Sequence, residues 1–242
     1  MLSELKTSER PVMQPITHSA RRINRIADRL KPPNYLEIGV EKAVTFLQVD
    51  IENKIAVDPN FCFDPTIKPF VGRGVYHPTS SDEFFSHYAG PDLGLVFLDG
   101  LHHSEQTLRD LLNVLVFSNS QTVILIDDVV PSDVFSSLRD HSHSIKFREM
   151  NNQVGGAWHG DVFRVIFFLH DFFPTLSYAT IEGGGNSQTL IWRSRRKGFK
   201  PRFNSLETIE RLSYFDLYNN FDLMNMMDED TAIAKMEHEL GL

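Results

Sequence analysis

Acidic side chains close three apolar runs in this chain: Asp58 follows Lys54–Val57, Asp99 follows Leu93–Leu98, and the pair Asp127 and Asp128 follows Thr122–Ile126. The two longer runs are continuous rather than alternating, as central strands covered on both faces are, so their carboxylates fall at strand ends. In an open parallel sheet a ligand lodges just beyond the carboxyl ends of the strands, which directs Asp99, Asp127 and Asp128 into one crevice. Three carboxylates set together repel one another until a proton or a cation relieves them, and an all-oxygen set suits Mg²⁺ better than zinc. Such a cation would orient a substrate oxygen and lower its pKa. The plainer alternative is local: Asp127 or Asp128 caps a turn, and Asp99 merely precedes a helix.

The segment Glu37-Ile-Gly39-Val-Glu41-Lys-Ala43 ends the first strand and opens a helix, where a backbone without a Cβ can approach a ligand closely. Gly39 is the only glycine there, so the three-glycine dinucleotide pattern is absent, and a nucleoside without a pyrophosphate fits better. Asp58 stands where an acid can accept hydrogen bonds from both ribose hydroxyls, or is simply a loop residue before Pro59. Ser81 and Asp82 follow the third strand and are placed to meet an adenine, although Ser81 also reads as a helix cap. His102, His103 and His159 are the groups able to titrate near neutrality close to this crevice, and His102 is preferred among them.

The elements that must position these residues alternate. Apolar residues at helical spacing run from Ile16 to Leu30 and stop at Pro32 and Pro33. Strand, turn and helix then recur: Tyr35–Val40, a helix around Val44–Val49, Lys54–Val57, Val75–His77, and a helix from Ser81 to Tyr88. Leu93–Leu98, the helix Ser104–Phe117 and Thr122–Ile126 continue the pattern. A helix over Ser132–Arg139, a polar stretch to Gly156 and an apolar core helix from Asp161 to Phe172 come next. Leu176–Ile181 and Gln188–Trp192, separated by Gly183, Gly184, Gly185 and Asn186, read as an antiparallel hairpin at one sheet edge. The expected fold is α/β: a Rossmann-like, doubly wound, mostly parallel sheet with a C-terminal antiparallel strand, an N-terminal helix and a C-terminal helical tail. The expected division is an N-terminal helical segment (1–33), a ligand-binding domain (34–193), and a basic patch with a Met-rich tail (194–242). Phe215, Tyr218, Phe221, Met224, Met226 and Met227 of that tail suit a lid, a subunit contact or a helix packed on its own domain, and a homo-oligomer is favoured.

Composition narrows the partners. The 242 residues carry a formal charge of −8, which disfavours nucleic acid, since phosphate affinity comes from Lys and Arg. A small-molecule substrate fits better. The single cysteine, Cys62, excludes an intrachain disulfide and points to a reducing, cytoplasmic setting. Met1–Arg10 has no apolar h-region, and no apolar run approaches the ~20 residues of a membrane span.

At these residues the chain resembles the class I S-adenosylmethionine-dependent methyltransferases, and in particular a bacterial branch of them. The stretches that carry the resemblance are Tyr35-Leu-Glu37-Ile-Gly39-Val, Val57-Asp58-Pro59, Thr79-Ser-Ser-Asp82-Glu-Phe-Phe85, Phe97-Leu-Asp99-Gly-Leu-His102, Ile126-Asp127-Asp128 and Gly160-Asp161-Val162. It implies that Glu37 and Gly39 lie beside the methionine and nucleoside parts of the cofactor, Asp58 holds the ribose, Ser81 and Asp82 approach the adenine, and Asp99 borders the methionine end. Ala43 departs from a glycine common in that family. The placement of Asp99, Asp127 and Asp128 is also similar to that in metal-dependent O-methyltransferases of catechols and sugars. The resemblance therefore implies O-methylation of a hydroxylated small molecule or glycan, Mg²⁺-assisted, with His102 and Asp99 at the reacting oxygen. Methyl transfer is an in-line displacement, which asks the protein to align the nucleophile and remove its proton. A nicotinamide-dependent oxidoreductase on a similar sheet and a non-catalytic S-adenosylmethionine-binding module are the rival readings.

Overall fold

A computed structural model describes residues 15–242, so the reading of Met1–Arg10 lies outside the described residues. Helix α1 (His18–Leu30) is capped by Thr17, whose Oγ1 accepts the Ala20 N–H, and it buries Ala20, Ile23, Ile26 and Ala27. Pro32 and Pro33 lead into β1 (Tyr35–Ile38), followed by α2 (Val44–Gln48), β2 (Lys54–Val57), β3 (Val75–His77), α3 (Ser81–His87), β4 (Leu93–Leu98), α4 (Ser104–Val116) and β5 (Ser118–Ile126). After β5 come α5 (His141–Met150), α6 (Phe163–Phe172), the hairpin strands β6 (Leu176–Ile181) and β7 (Gln188–Arg193), and the tail elements α7 (Leu206–Glu210), α8 (Tyr214–Asn219), β8 (Met226–Met227) and α9 (Glu229–Leu240).

The eight strands lie in the order β3-β2-β1-β4-β5-β7-β6-β8, parallel except for β7, which runs against both β5 and β6. Side chains alternate between two cores: Leu36, Ile38, Val96, Leu98, Ile124 and Ile126 enter one, while Tyr35, Leu95, Phe97, Val123 and Leu125 enter the other. Both faces are dry because α4 and α6 pack on the first and α1, α2 and α9 on the second. This is why β4 and β5 read as uninterrupted apolar runs. The expected fold class is the observed one.

Three local readings differ from the structure. Residues 132–139 form turns rather than a helix, because Asp133 and Ser136 satisfy each other's backbone through short side-chain bonds; the helix is instead α5, capped by Asp140. Ser80, not Ser81, caps α3. The hairpin is not at the sheet edge: the tail returns to lay β8 parallel against β6, and Ile233 and Met236 of α9 are buried in the core beside β7. No helix among the described residues is long and apolar enough to cross a membrane.

Candidate functional site

The parallel ladder runs one rung past the end of each central strand. Gly39 N–H donates to the Val57 carbonyl (2.9 Å), Asp58 N–H to His77 (3.2 Å), Asp99 N–H to Ile38 (2.9 Å) and Asp127 N–H to Leu98 (3.0 Å). Asp58, Gly39, Asp99 and Asp127 therefore stand in one row along the rim. The strand order reverses between β1 and β4, and a cleft of about 1050 Å³ opens there.

Gly39 has φ +88°, and a Cβ on it would sit 1.9 Å from the Asp99 carbonyl oxygen, so the residue cannot be replaced without moving the rim. The turn that follows keeps Glu41 and Ala43 in the left-handed region, at φ 45° and 58°. Asp58 holds it: Oδ2 accepts the Val40 and Glu41 N–H groups (2.9 and 2.8 Å), and Oδ1 accepts that of Asn60 (2.7 Å). Glu37 is buried on β1 and accepts the Tyr35 hydroxyl at 2.5 Å. Burial, with the Asp99 carboxylate adding to it, pushes its pKa up to about 8 despite that hydrogen bond.

The acidic end of the cleft is built on His102. Its Nδ1 is 3.0 Å from the Trp158 carbonyl, which only accepts, so Nδ1 carries hydrogen. Nε2 then faces Asp128 Oδ2 at 3.1 Å and Asp99 Oδ1 at 3.6 Å, and the short contact requires a proton on one partner. Burial and the neighbouring Asp127 raise Asp99 to about 7 and Asp128 to about 8. Burial opposes charge on His102, but the two carboxylates outweigh it and hold its pKa at about 9. The three groups titrate as one set that retains a proton at neutrality. Asp128 itself sits at φ 60°, a left-handed backbone held by Asn186, whose Nδ2 donates to Oδ1 at 2.7 Å.

The structure thus gathers the sequence candidates unevenly. Asp99 and Asp128 come together with His102, and the donor atoms of the three lie within 4.8 Å of one another. Two carboxylate oxygens and an imidazole nitrogen fit a divalent cation, although the set is mixed rather than all-oxygen. Asp127 is outside it: its Oδ1 accepts the Asp128 N–H, and His102 takes the third position. Ser81 and Asp82 line the cleft on the adjacent wall, both receiving the Gln106 amide, and Asp82 also pairs with Arg109. His103 turns away toward the Arg139 carbonyl. His159 is 5% exposed, lies 3.6 Å from Asp128, and is kept neutral by burial.

Sequence reasoning missed His18, Asn186 and the role of Trp158. His18 lines the cleft from the start of α1, and burial lowers its pKa although Asp127 lies near. Trp158 stacks between His102 and His141, with ring centroids 4.8 and 4.9 Å apart. Its loop approaches so closely that a Cβ on Gly160 would meet the His102 carbonyl at 1.8 Å. The glycine in Gly160-Asp161 was a usable signal for that approach; nothing in the local pattern marks His18.

Residues 36–129 match a family model described as a methyltransferase domain. No curated protein matches the sequence at a significant level. Among solved structures, cofactor-bound Rv0187 from MTB is 14% identical with a TM-score of 0.55, over 78% of this chain and 85% of that one. An O-methyltransferase from Bacillus cereus in complex with SAH is 11% identical at TM-score 0.53, over 76% and 84%. The SAH-bound methyltransferase PaMTH1 of Podospora anserina is 16% identical at TM-score 0.52, over 73% and 77%. The chain has the fold of the class I S-adenosylmethionine-dependent methyltransferases, the family that its sequence resembles.

Proposed function

We propose that this chain is an S-adenosylmethionine-dependent O-methyltransferase acting on a hydroxylated small molecule or glycan, with a divalent cation assisting at Asp99, His102 and Asp128. The observation that carries the reading is the row on the rim: an obligatory glycine flanked by Asp58 and Asp99 at the switch point of the sheet, within the segment that matches the methyltransferase model. The cradle fits the cofactor, because the backbone at Gly39 leaves open the space that any Cβ would fill and carboxylates outnumber cations in the lining.

In this reading residues 34–193 carry the cofactor site. Glu37 and Gly39 bound the methionine and nucleoside, Asp58 turns its remaining acceptor capacity to the ribose, and Ser81 and Asp82 border the adenine. The bound cofactor supplies an electrophilic methyl group. Asp99 and Asp128 orient the acceptor oxygen for in-line approach, and His102 moves its proton at Nε2. A cation held by these three would occupy the Nε2 lone pair in place of that proton and would itself lower the pKa of the acceptor oxygen, and the imidazole in the set suits Mn²⁺ or Fe²⁺ at least as well as Mg²⁺. Trp158 and His159 line the cleft at that end.

Isothermal titration with S-adenosylmethionine and with NAD tests the cofactor, and S-adenosylhomocysteine release on a panel of polyols and phenols, with Mn²⁺, Mg²⁺ or chelator, tests the reaction. Binding of the methyl donor alone, and turnover that chelation suppresses, are expected. Binding of NAD in its place would overturn the reading.

A further inference from the structure

At the end of the sheet opposite the cleft, the start of β6 and the end of β7 open on a second groove of about 910 Å³. One wall is the segment 194–202, which together with the adjacent Arg193 holds Arg195, Arg196, Lys197, Lys200 and Arg202 with no acid among them. Half of these cations are anchors. The Arg196 guanidinium lies 5.3 Å from each of the Tyr178 and Phe199 rings and donates to the carbonyls of Leu169, His170, Phe173 and Leu176. Arg202 forks onto Asp222, and Arg193 donates to the Leu115 carbonyl and Ser118 Oγ.

The others are unspent. Arg195, Lys197 and Lys200 are exposed and have no ion-pair or side-chain hydrogen-bond partner among the described residues. Lys235 joins them from α9, contacting the Tyr178 carbonyl (3.3 Å) and the Trp192 ring and forming no ion pair among the described residues. Of the two acids on the rim, Asp222 is paired with Arg202, and Glu239 accepts the Trp192 indole N–H while keeping its charge. Four cations without a salt bridge among the described residues thus face a single carboxylate, Glu239, in a concave site of a chain of net charge −8. A single phosphate would leave part of that positive excess unmatched. The volume lies within the ~300–1,000 Å³ of small-molecule sites, and Arg forks complement phosphate oxygens.

We propose that this groove binds a small molecule bearing two or three linked phosphate groups, at a site separate from the methyl-transfer cleft. The anchored arginines hold the wall rigid, so the free cations need little ordering when the ligand arrives. The proposal does not depend on the reading of the cleft.

Calorimetric titration of the full chain with tripolyphosphate at low salt tests it, beside a variant carrying Arg195→Glu, Lys197→Glu and Lys200→Glu. Binding that weakens at least tenfold in the variant, with an unchanged unfolding midpoint, is expected. A milder pair, Arg195→Gln with Lys200→Gln, gives an intermediate loss and serves if the triple variant does not fold. No binding to the wild-type chain at millimolar tripolyphosphate would overturn the proposal, as would equal binding by the variants. Capture by phosphatidylserine vesicles without a tripolyphosphate response would overturn it too, in favour of a membrane surface.

Discussion

Strand β5 ends in two consecutive aspartates that both line the cleft, and it is the second that meets His102. Asp128 reaches His102 because its backbone is left-handed and Asn186 holds its other oxygen. Replacing Asp128 with Asn removes one of the carboxylates that keep His102 charged. Its ring should then titrate clearly below the wild-type value of about 9, which NMR of the imidazole reads directly. Gly39→Ala should cost about 3 kcal/mol or more in urea unfolding and abolish cofactor binding, since the new Cβ meets the Asp99 carbonyl and the φ is unsuited to an L side chain. Glu37 gives a stability test. Its folded pKa of about 8 lies above the ordinary 4.5, so the folded chain holds that proton more tightly than the unfolded one. Stability from this group is full below the ordinary value and is lost as pH rises toward 8. Glu37→Gln should accordingly gain on the wild type between pH 5 and pH 9, by a few kcal/mol in chemical unfolding. Parallel pH curves for the two proteins would contradict the assignment.

At the scale of elements, Arg22 ties three remote segments together. Its fully buried guanidinium on α1 donates to the carbonyls of Gly183 and Asn186, to Gln188 Oε1 (2.6 Å), and to Glu229 at the start of α9. Glu229 also receives Arg21 and Arg25, and these arginines hold its pKa at about 2 against the effect of burial. The hairpin turn that carries Asn186 is thus pinned from the second core, and Asn186 in turn fixes Asp128. Arg22→Met should cost about 2–4 kcal/mol by leaving buried carbonyls unpaired. Amide exchange should quicken over 183–188 more than in β4, a pattern that distinguishes loosening of the turn from uniform destabilisation.

Across the whole molecule, charge is separated along the strand direction. Eight carboxyl groups line the cleft, at Glu37, Glu41, Asp58, Asp82, Asp99, Asp110, Asp127 and Asp128, while the basic groove lies at the other end. S-adenosylmethionine carries a sulfonium cation, and S-adenosylhomocysteine does not. Because Glu37 and the coupled Asp99–His102–Asp128 set hold protons near neutrality, a cationic ligand should displace some of them. Affinity for the methyl donor should therefore rise from pH 6 to pH 9 more steeply than affinity for the product. Calorimetry in buffers of different ionisation heat would report the released protons, and identical pH responses for the two ligands would refute the account.

Much of this was readable from the chain alone. Strands buried on both faces announce themselves as apolar runs, and a residue just past such a run must lie at the sheet rim, which is how Asp58, Gly39, Asp99 and Asp127 could be placed. The hairpin followed from its glycines. Helix α5 was illegible because only Ser144 and Arg148 of it are buried, leaving no apolar period to detect. Tertiary structure alone decided that Asp128 rather than Asp127 shares His102 with Asp99, that His18 and Asn186 border the cleft, and that the tail supplies the last strand. Each of those outcomes rests on contacts between segments far apart in sequence, such as Asn186 with Asp128 and Arg22 with Glu229. Local periodicity records which face of an element is apolar; it holds no information about which distant polar group will meet a given side chain, because that pairing is set by how the packed elements come to rest on one another.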